Sequence, residues 1–255
     1  MRTPHWTLCL LGLLVGGAQA NSLTDPLTVR VHGLDWDVHE VTIGQVKAFA
    51  QATGFVSRAE KDGGGTVYEA GWATKKGWTW RQPYGVTAQD TEPAVHLTFD
   101  EAQAICRHAG KRLPTDAEWT AAAYLEQRQP APAPYVTGQR YRYPDGDSAR
   151  QSHCLQGCLD RAGVAPAGSL WRGSGHLPVT QLAAGVNGLR GMGGNVWEWV
   201  DSGSGREQVT RGGSWWYGPS PMHRDHRALK PADFYVVYIG WRCVADKAQL
   251  LPSKR

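Results

Sequence analysis

The sequence predicts an α+β domain built from short strands, few helices and long ordered loops. Twelve Trp and 31 Gly among 255 residues point to tight turns pinned by large aromatic anchors, not to long regular elements. Three segments carry a Thr followed three residues later by Gln or Glu, the capping-box signature of a helix start. Alternation of apolar and polar residues, the period of a strand, is confined to the two ends of the chain. Hydrophobic residues at 41% and charged residues at 20% are ordinary for a chain that buries a core. A net charge of +4 without a block of like charge argues against a nucleic-acid partner.

Residues 1–20, MRTPHWTLCLLGLLVGGAQA, read as a cleaved secretory leader. Arg2 gives a basic start, residues 6–15 an apolar core too short to span a bilayer, and Ala18-Gln19-Ala20 a small-x-small cleavage site. Removing it takes one Arg and leaves a balance of +3. A single domain is expected over residues 21–255, in the periplasm.

Residues 27–31 alternate like a strand. Thr42 to Gln45 opens a helix with Val46, Phe49 and Ala50 on one face, ended by Gly54. Residues 59–93 lack a period but are rich in Gly, Trp and Tyr, which marks an ordered loop. Thr98 to Glu101 opens a second helix carrying Ala102, Ile105, Cys106 and Ala109, stopped at Gly110. Thr115 to Glu118 opens a third, running through Trp119 to about Leu125. Residues 127–137 are a Pro-rich loop and residues 138–187 show no period. Alternation returns over residues 235–244.

Four cysteines lie outside the leader: Cys106, Cys154, Cys158 and Cys243. An even count in an exported chain points to disulfides, with three pairings open. Cys154 and Cys158 can close a small loop around Gly157, and Cys106 and Cys243 would then tie a central helix to the last strand. A four-thiolate zinc site is the alternative, though C-x3-C with two distant partners matches zinc spacing poorly.

Four motifs occur in order: GWTWRQP at 77–83, HAGKRLPTDAEW at 108–119, GLRGMGGNVWEW at 188–199 and RGGSWWY at 211–217, the last closed by YIGWRCVAD at 238–246. Together they resemble the formylglycine-generating-enzyme (sulfatase-modifying factor) family over residues 27–246. The resemblance implies a distorted C-type-lectin-like fold and a disulfide between Cys106 and Cys243. Similar oxidases bind copper through two cysteines just after the GGS segment, since thiolates are the ligands copper(I) prefers. The matching positions here are Tyr217 and Met222, so copper is not expected, and neither is formylglycine generation by that route. The resemblance further implies a calcium ion held by oxygen donors. Glu198 would supply a carboxylate, and Gly194 and Val196 carbonyls. Gly191 stands where the family has an Asn, leaving a gap for a backbone oxygen or water. A second calcium site, expected over residues 147–170, lacks clear ligands. On the plainer reading, Glu198 and Asn195 only hydrogen-bond the turn.

In the run RGGSWWYGPSPMHRDH, His223 and His226 flank Asp225. Metal ligation or acid–base work is one reading; hydrogen bonds that shape a loop are the stronger one, because a third firm ligand is missing. Trp215 is expected in the core. Trp216 and Tyr217, with His223 and His226, form the candidate partner or ligand surface. Arg81 is expected in a buried ion pair, and Lys111 and Arg112 in bonds to loop carbonyls. No Ser-His-Asp order appears, and RGGS lacks the setting and Lys-Ser/Thr ending of a phosphate loop.

Two functions follow from the resemblance. The first is a non-catalytic, exported, protein-binding regulator. It resembles a periplasmic regulator that acts with an outer-membrane lipoprotein upstream of a membrane Ser/Thr kinase in type VI secretion. The second is a periplasmic oxidoreductase that matures a siderophore chromophore of the pyoverdine type, with His223, Asp225 or Tyr217 as acid–base groups.

Overall fold

The structure is a computed structural model that describes residues 27–159 and 161–246; the expected leader, residues 1–20, lies outside them. All three Thr-initiated capping boxes form. Thr42 caps α1 (Ile43–Thr53), Thr98 caps α3 (Phe99–His108) and Thr115 caps α4 (Asp116–Tyr124). Each Thr side chain accepts from the backbone N–H of the third helical residue, whose own Gln or Glu reaches back to the cap. A fourth box, Ser57 with Glu60, opens the single turn α2 (Arg58–Lys61).

Three small sheets accompany the helices. Strands β1 (Thr28–Val31) and β2 (Leu34–Asp37) form a hairpin, and β9 (Val244–Ala245) pairs antiparallel with β2. Strands β3 (Gly64–Tyr68) and β4 (Trp72–Lys76) form a second hairpin. In the third sheet β5 (Trp197–Val200) lies between β6 (Glu207–Arg211) and β8 (Ile239–Gly240), antiparallel to the first and parallel to the second; β7 (Ala228–Pro231) pairs with β6.

Two expectations are corrected here. The region 59–93 is not all loop: it holds α2 and the β3–β4 hairpin. Its strand period was hidden by glycines that packing demands. A Cβ on Gly65 would lie 2.1 Å from Nδ1 of the buried His96, so no side chain fits at that strand position. Residues 235–244, expected to alternate as a strand, give only β8 and β9. Val236 makes an isolated bridge to Thr66, and residues 236–244 are buried throughout, so packing on both sides sets their path instead of a ladder.

Among the described residues two large apolar clusters form most of the core, beside two small ones. The larger joins α1 and α3 to Trp80, Trp197, Trp199, Trp215, Trp216 and Trp241; the smaller gathers Trp36, Trp119, Tyr124, Val200 and Val209. Strand β5 divides them, with Trp197 and Trp199 in one and Val200 in the other. Both disulfides form: Cys106–Cys243 links α3 to the segment before β9 across 137 residues, and Cys154–Cys158 closes a local loop. The long link removes far more freedom from the unfolded chain; such bridges contribute roughly 2–5 kcal/mol.

His96 has φ 60° and buries its ring, with Nε2 3.1 Å from the Pro83 carbonyl. Burial holds its pKa down to about 4. Burial also holds His39, His153 and His176 below the usual histidine value. The unfolded chain takes up these protons near pH 6.5, while the folded chain resists them until the pH is lower. Stability is therefore full above pH 6.5 and is lost as pH falls toward 4, by roughly 1.4 kcal/mol per pH unit for His96 alone. Urea unfolding between pH 7 and pH 4 is expected to show this slope, and His96→Asn to flatten it while lowering the midpoint at pH 7.

Candidate functional site

Strand β5 is buried on both faces, which places the Glu198 carboxylate in the interior. An isolated charge there would be prohibitively costly, and Arg242, also fully buried, neutralises it. Glu198 Oε1 accepts from Arg242 Nε at 3.0 Å and Nη2 at 2.6 Å; Oε2 accepts from Nε at 2.8 Å and from Trp119 Nε1 at 2.7 Å. The remaining guanidinium donors reach the carbonyls of Asp37, Val38 and Arg190. The expected role of Glu198 as a calcium ligand is thus corrected: both its oxygens are committed to Arg242 and Trp119.

Against the turn before β5 lies an unexpected acidic group, Glu40, from the segment between β2 and α1. A Cβ on Gly191 would lie 2.5 Å from Glu40 Oε1, so Glu40 fills the room beside the position where the family has an Asn. Glu40 is fully buried; Oε1 accepts from Asn195 Nδ2 at 3.1 Å, and Oε2 has no partner among the described residues. Burial pushes its carboxyl up to about 8, against the pull of Arg242 and with the help of Glu198. An orphaned buried oxygen beside Gly191 and Asn195 is the kind of hard donor that a cation such as calcium takes. Asn195 does brace the turn, its Oδ1 accepting from Leu177 N at 2.8 Å. Among the described residues no three His, Cys, Asp or Glu side chains converge as a metal set, over residues 147–170 or elsewhere.

After β6 the chain turns through Gly212 and Gly213, both at positive φ. A Cβ on Gly213 would lie 3.0 Å from Met222 Cγ, so the glycine lets the following loop fold back on itself. Trp215 N donates to Asn195 O at 2.9 Å, locking this loop to the turn before β5. Tyr217 and Met222, the two positions that the resemblance matches to the oxidase thiols, go different ways. Tyr217 is half-buried between Trp197 (5.8 Å) and Tyr238 (6.0 Å), while Met222 is buried in a small cluster with Cys154 and Ala149. All four cysteines among the described residues are in disulfides.

Trp215 is core, as expected. Trp216, expected on the surface, is corrected: it is only 2% exposed and stacks on Tyr238 at 6.0 Å. Large indoles in this loop gain more from the core than from solvent. What covers Trp216 is exposed instead: Trp171, 59% exposed, meets its edge at 6.0 Å, and the Arg172 guanidinium lies 4.9 Å from its ring. His223 and His226 diverge. His223 packs edge-on against Tyr143 at 5.4 Å and faces Asp225 at 3.4 Å; His226 leans on Trp197 at 5.8 Å. Burial lowers the pKa of His226. Arg81 stacks on Trp80 at 4.0 Å and pairs with Glu60 at 2.8 Å, but on the surface and not in the interior. Lys111 pairs with Asp37, and Arg112 chelates Glu118 and meets Asp246 as well as the Leu113 carbonyl; ion pairs, more than carbonyls, hold that loop.

Sequence reasoning missed a buried polar chain behind Trp215. His176 Nε2 lies 3.0 Å from Glu92 Oε2, and its Nδ1 lies 2.9 Å from the Tyr84 hydroxyl, which also accepts from His176 N. With every member buried, the chain braces the loop and touches no solvent-borne substrate. It also missed Trp171 and Arg172, set in an aperiodic stretch; a bulky aromatic beside Arg among Gly and Ser residues was the available signal.

Removing the Glu198 charge leaves Arg242 buried without its counter-ion. Glu198→Gln is expected to cost about 3–5 kcal/mol in chemical denaturation, whereas the double variant Glu198→Met with Arg242→Met loses less than the single change.

Comparison with known proteins places these features. The formylglycine-generating enzyme of Streptomyces coelicolor is 29% identical over 275 residues, covering 90% of this chain and 83% of that protein. The inactive C-alpha-formylglycine-generating enzyme 2 of Mus musculus is 32% identical over 145 residues, 53% of this chain and 43% of its own length. The solved structure of PvdO from Pseudomonas aeruginosa shares the fold at a TM-score of 0.55 and 18% identity, over 84% of this chain and 80% of that one. Residues 4–247 match the sulfatase-modifying factor enzyme 1-like domain. With its short strands, few helices and small mixed sheets in the family's distorted lectin-like arrangement, the chain belongs to the FGE-sulfatase family.

Proposed function

We propose that this chain is an exported, non-catalytic member of its family that binds a protein partner and regulates it. Its setting is the periplasmic signalling that activates a type VI secretion system through a Ser/Thr kinase. The partners are an outer-membrane lipoprotein and the periplasmic part of the kinase. One observation carries the reading: Tyr217 and Met222, which the resemblance matches to the two thiolate positions of the oxidases, turn into separate clusters, while the four cysteines of residues 21–255 are bonded elsewhere. A relative named as inactive within the same family supports it. Of the acid–base groups that an oxidoreductase reading would use, His223 and Asp225 meet at 3.4 Å beside Tyr143, while Tyr217 packs apart from them on Trp197 and Tyr238.

The test is kinase-dependent phosphorylation in the host, with the chain deleted and restored. Restoration by wild type and by Tyr217→Phe is expected, with loss in Tyr217→Ala at unchanged melting temperature. If Tyr217→Phe or His223→Asn alone abolished the effect, or a siderophore chromophore failed to mature, the oxidoreductase reading would take its place.

Calcium has a structural part in this proposal, held by the carbonyls of Gly191, Gly194 and Val196 with Glu40 in place of Glu198. Bound there, it would stiffen the turn that anchors Trp215. Millimolar calcium is expected to raise the melting temperature by several degrees, on the order of 1–3 kcal/mol, and Glu40→Gln to remove the increment.

A further inference from the structure

Among the described residues the exposed aromatic side chains are Tyr68, Trp72 and Trp171, and they lie around the GGS loop. Tyr68 meets the edge of Trp72 at 5.2 Å, and Trp72 meets Phe234 at 5.2 Å. The bridge between Thr66 and Val236 runs β3 beside residues 236–238, close enough for the Tyr68 phenol to act on those of Tyr217 and Tyr238. From Tyr238 the aromatic contacts continue through Trp216 to Trp171. Tyr238 and Trp216 are buried and floor the face, while half-buried Tyr217 carries it to the surface between Tyr68 and Arg172, both close enough to act on its phenol.

Two cations flank this face. Arg172 lies over Trp171 and Trp216, at 5.5 and 4.9 Å, and donates through Nη2 to the Trp216 carbonyl at 2.7 Å. Its Nε is buried without a partner among the described residues. Lys230 lies 5.6 Å from the Trp197 ring, which meets Tyr217 at 5.8 Å. Neither cation has a carboxylate at ion-pair distance among the described residues. The acids nearby are engaged: Glu69 by Lys75 at 3.0 Å and Asp62 by Arg58 at 2.5 Å, while Asp233 sits at the Arg58–Tyr235 corner. Strand β4, which carries Trp72, pairs only with β3, so among the described residues its other edge, on the side of β3 away from residues 236–238, offers a row of backbone donors and acceptors suited to an extended polypeptide.

We infer that this face binds an extended acidic segment of a partner protein, its aromatic side chains on Trp171, Trp72 and Tyr68 and its carboxylates at Arg172 and Lys230. The inference rests on the protein-binding reading above and specifies its chemistry. Two uncompensated cations beside an aromatic shelf select against basic segments, and the open strand edge favours a peptide backbone over a glycan.

The test uses the purified chain and three polymers: random poly(Glu,Tyr), random poly(Lys,Tyr) and polygalacturonate, read by tryptophan fluorescence and biolayer interferometry. Poly(Glu,Tyr) is expected to bind, more weakly at high salt. The double variant Arg172→Gln with Lys230→Gln is expected to weaken it by about 10-fold or more, and Trp171→Ala by about 5-fold or more. Arg107→Gln, on the exposed side of α3, leaves binding unchanged. Poly(Lys,Tyr) is expected not to bind, and polygalacturonate to bind at least about 10-fold more weakly. Circular dichroism and melting temperature confirm that each variant is folded. Failure of poly(Glu,Tyr) to bind, equal binding of either other polymer, or indifference to the double variant each overturns the inference. Kinase regulation that needs Tyr217 but tolerates the double variant would sink this inference and leave the regulatory reading intact. Polymer binding as expected, with no effect of Tyr217→Ala on phosphorylation, would do the reverse.

Discussion

The buried pair of Glu198 and Arg242 is the constraint around which the fold is arranged. A strand covered on both faces cannot hold a carboxylate without a cation, and the cation must then find partners for every remaining donor. Arg242 does so by drawing together the end of β2, the turn at Arg190 and β5, segments remote in sequence. Cys243, next to it, is bonded to Cys106 on α3. One residue pair and one disulfide therefore set where the C-terminal segment crosses the molecule, and with it the floor beneath the GGS loop.

Regular hydrogen-bond ladders contribute little to holding that loop. Its position comes from glycines that permit close approach, from the bond between Trp215 and Asn195, and from indoles packed edge to face. Such a framework keeps its shape when the reactive residues change, because the packing of Trp215 and Trp216 does not involve positions 217 and 222 through any thiol chemistry. Tyr217 extends the aromatic surface outward, and Met222 fills the interior near Cys154.

The parts of the structure that were legible in the chain share a local cause. Each capping box involves residues three apart, so Thr42, Thr98 and Thr115 announced their helices; Ser57 escaped because a single turn leaves no periodic stretch behind it. The β3–β4 hairpin escaped because Gly64 and Gly65 yield to His96 and Lys75, neighbours that no local window contains. At the site, the resemblance singled out Tyr217 and Met222, yet their divergence into separate clusters is a matter of packing.

By itself the sequence determined the helix starts, the pairable cysteines and the motif order that marks the family, since all of these depend on residue type and short-range spacing. Only the tertiary structure decided that Glu198 belongs to Arg242, that Glu40 occupies the room beside Gly191, and that Trp216 is a floor under Trp171 and Arg172. Those outcomes hinge on which distant groups share the dry interior, where a charge or an orphaned oxygen is costly enough to choose its neighbour.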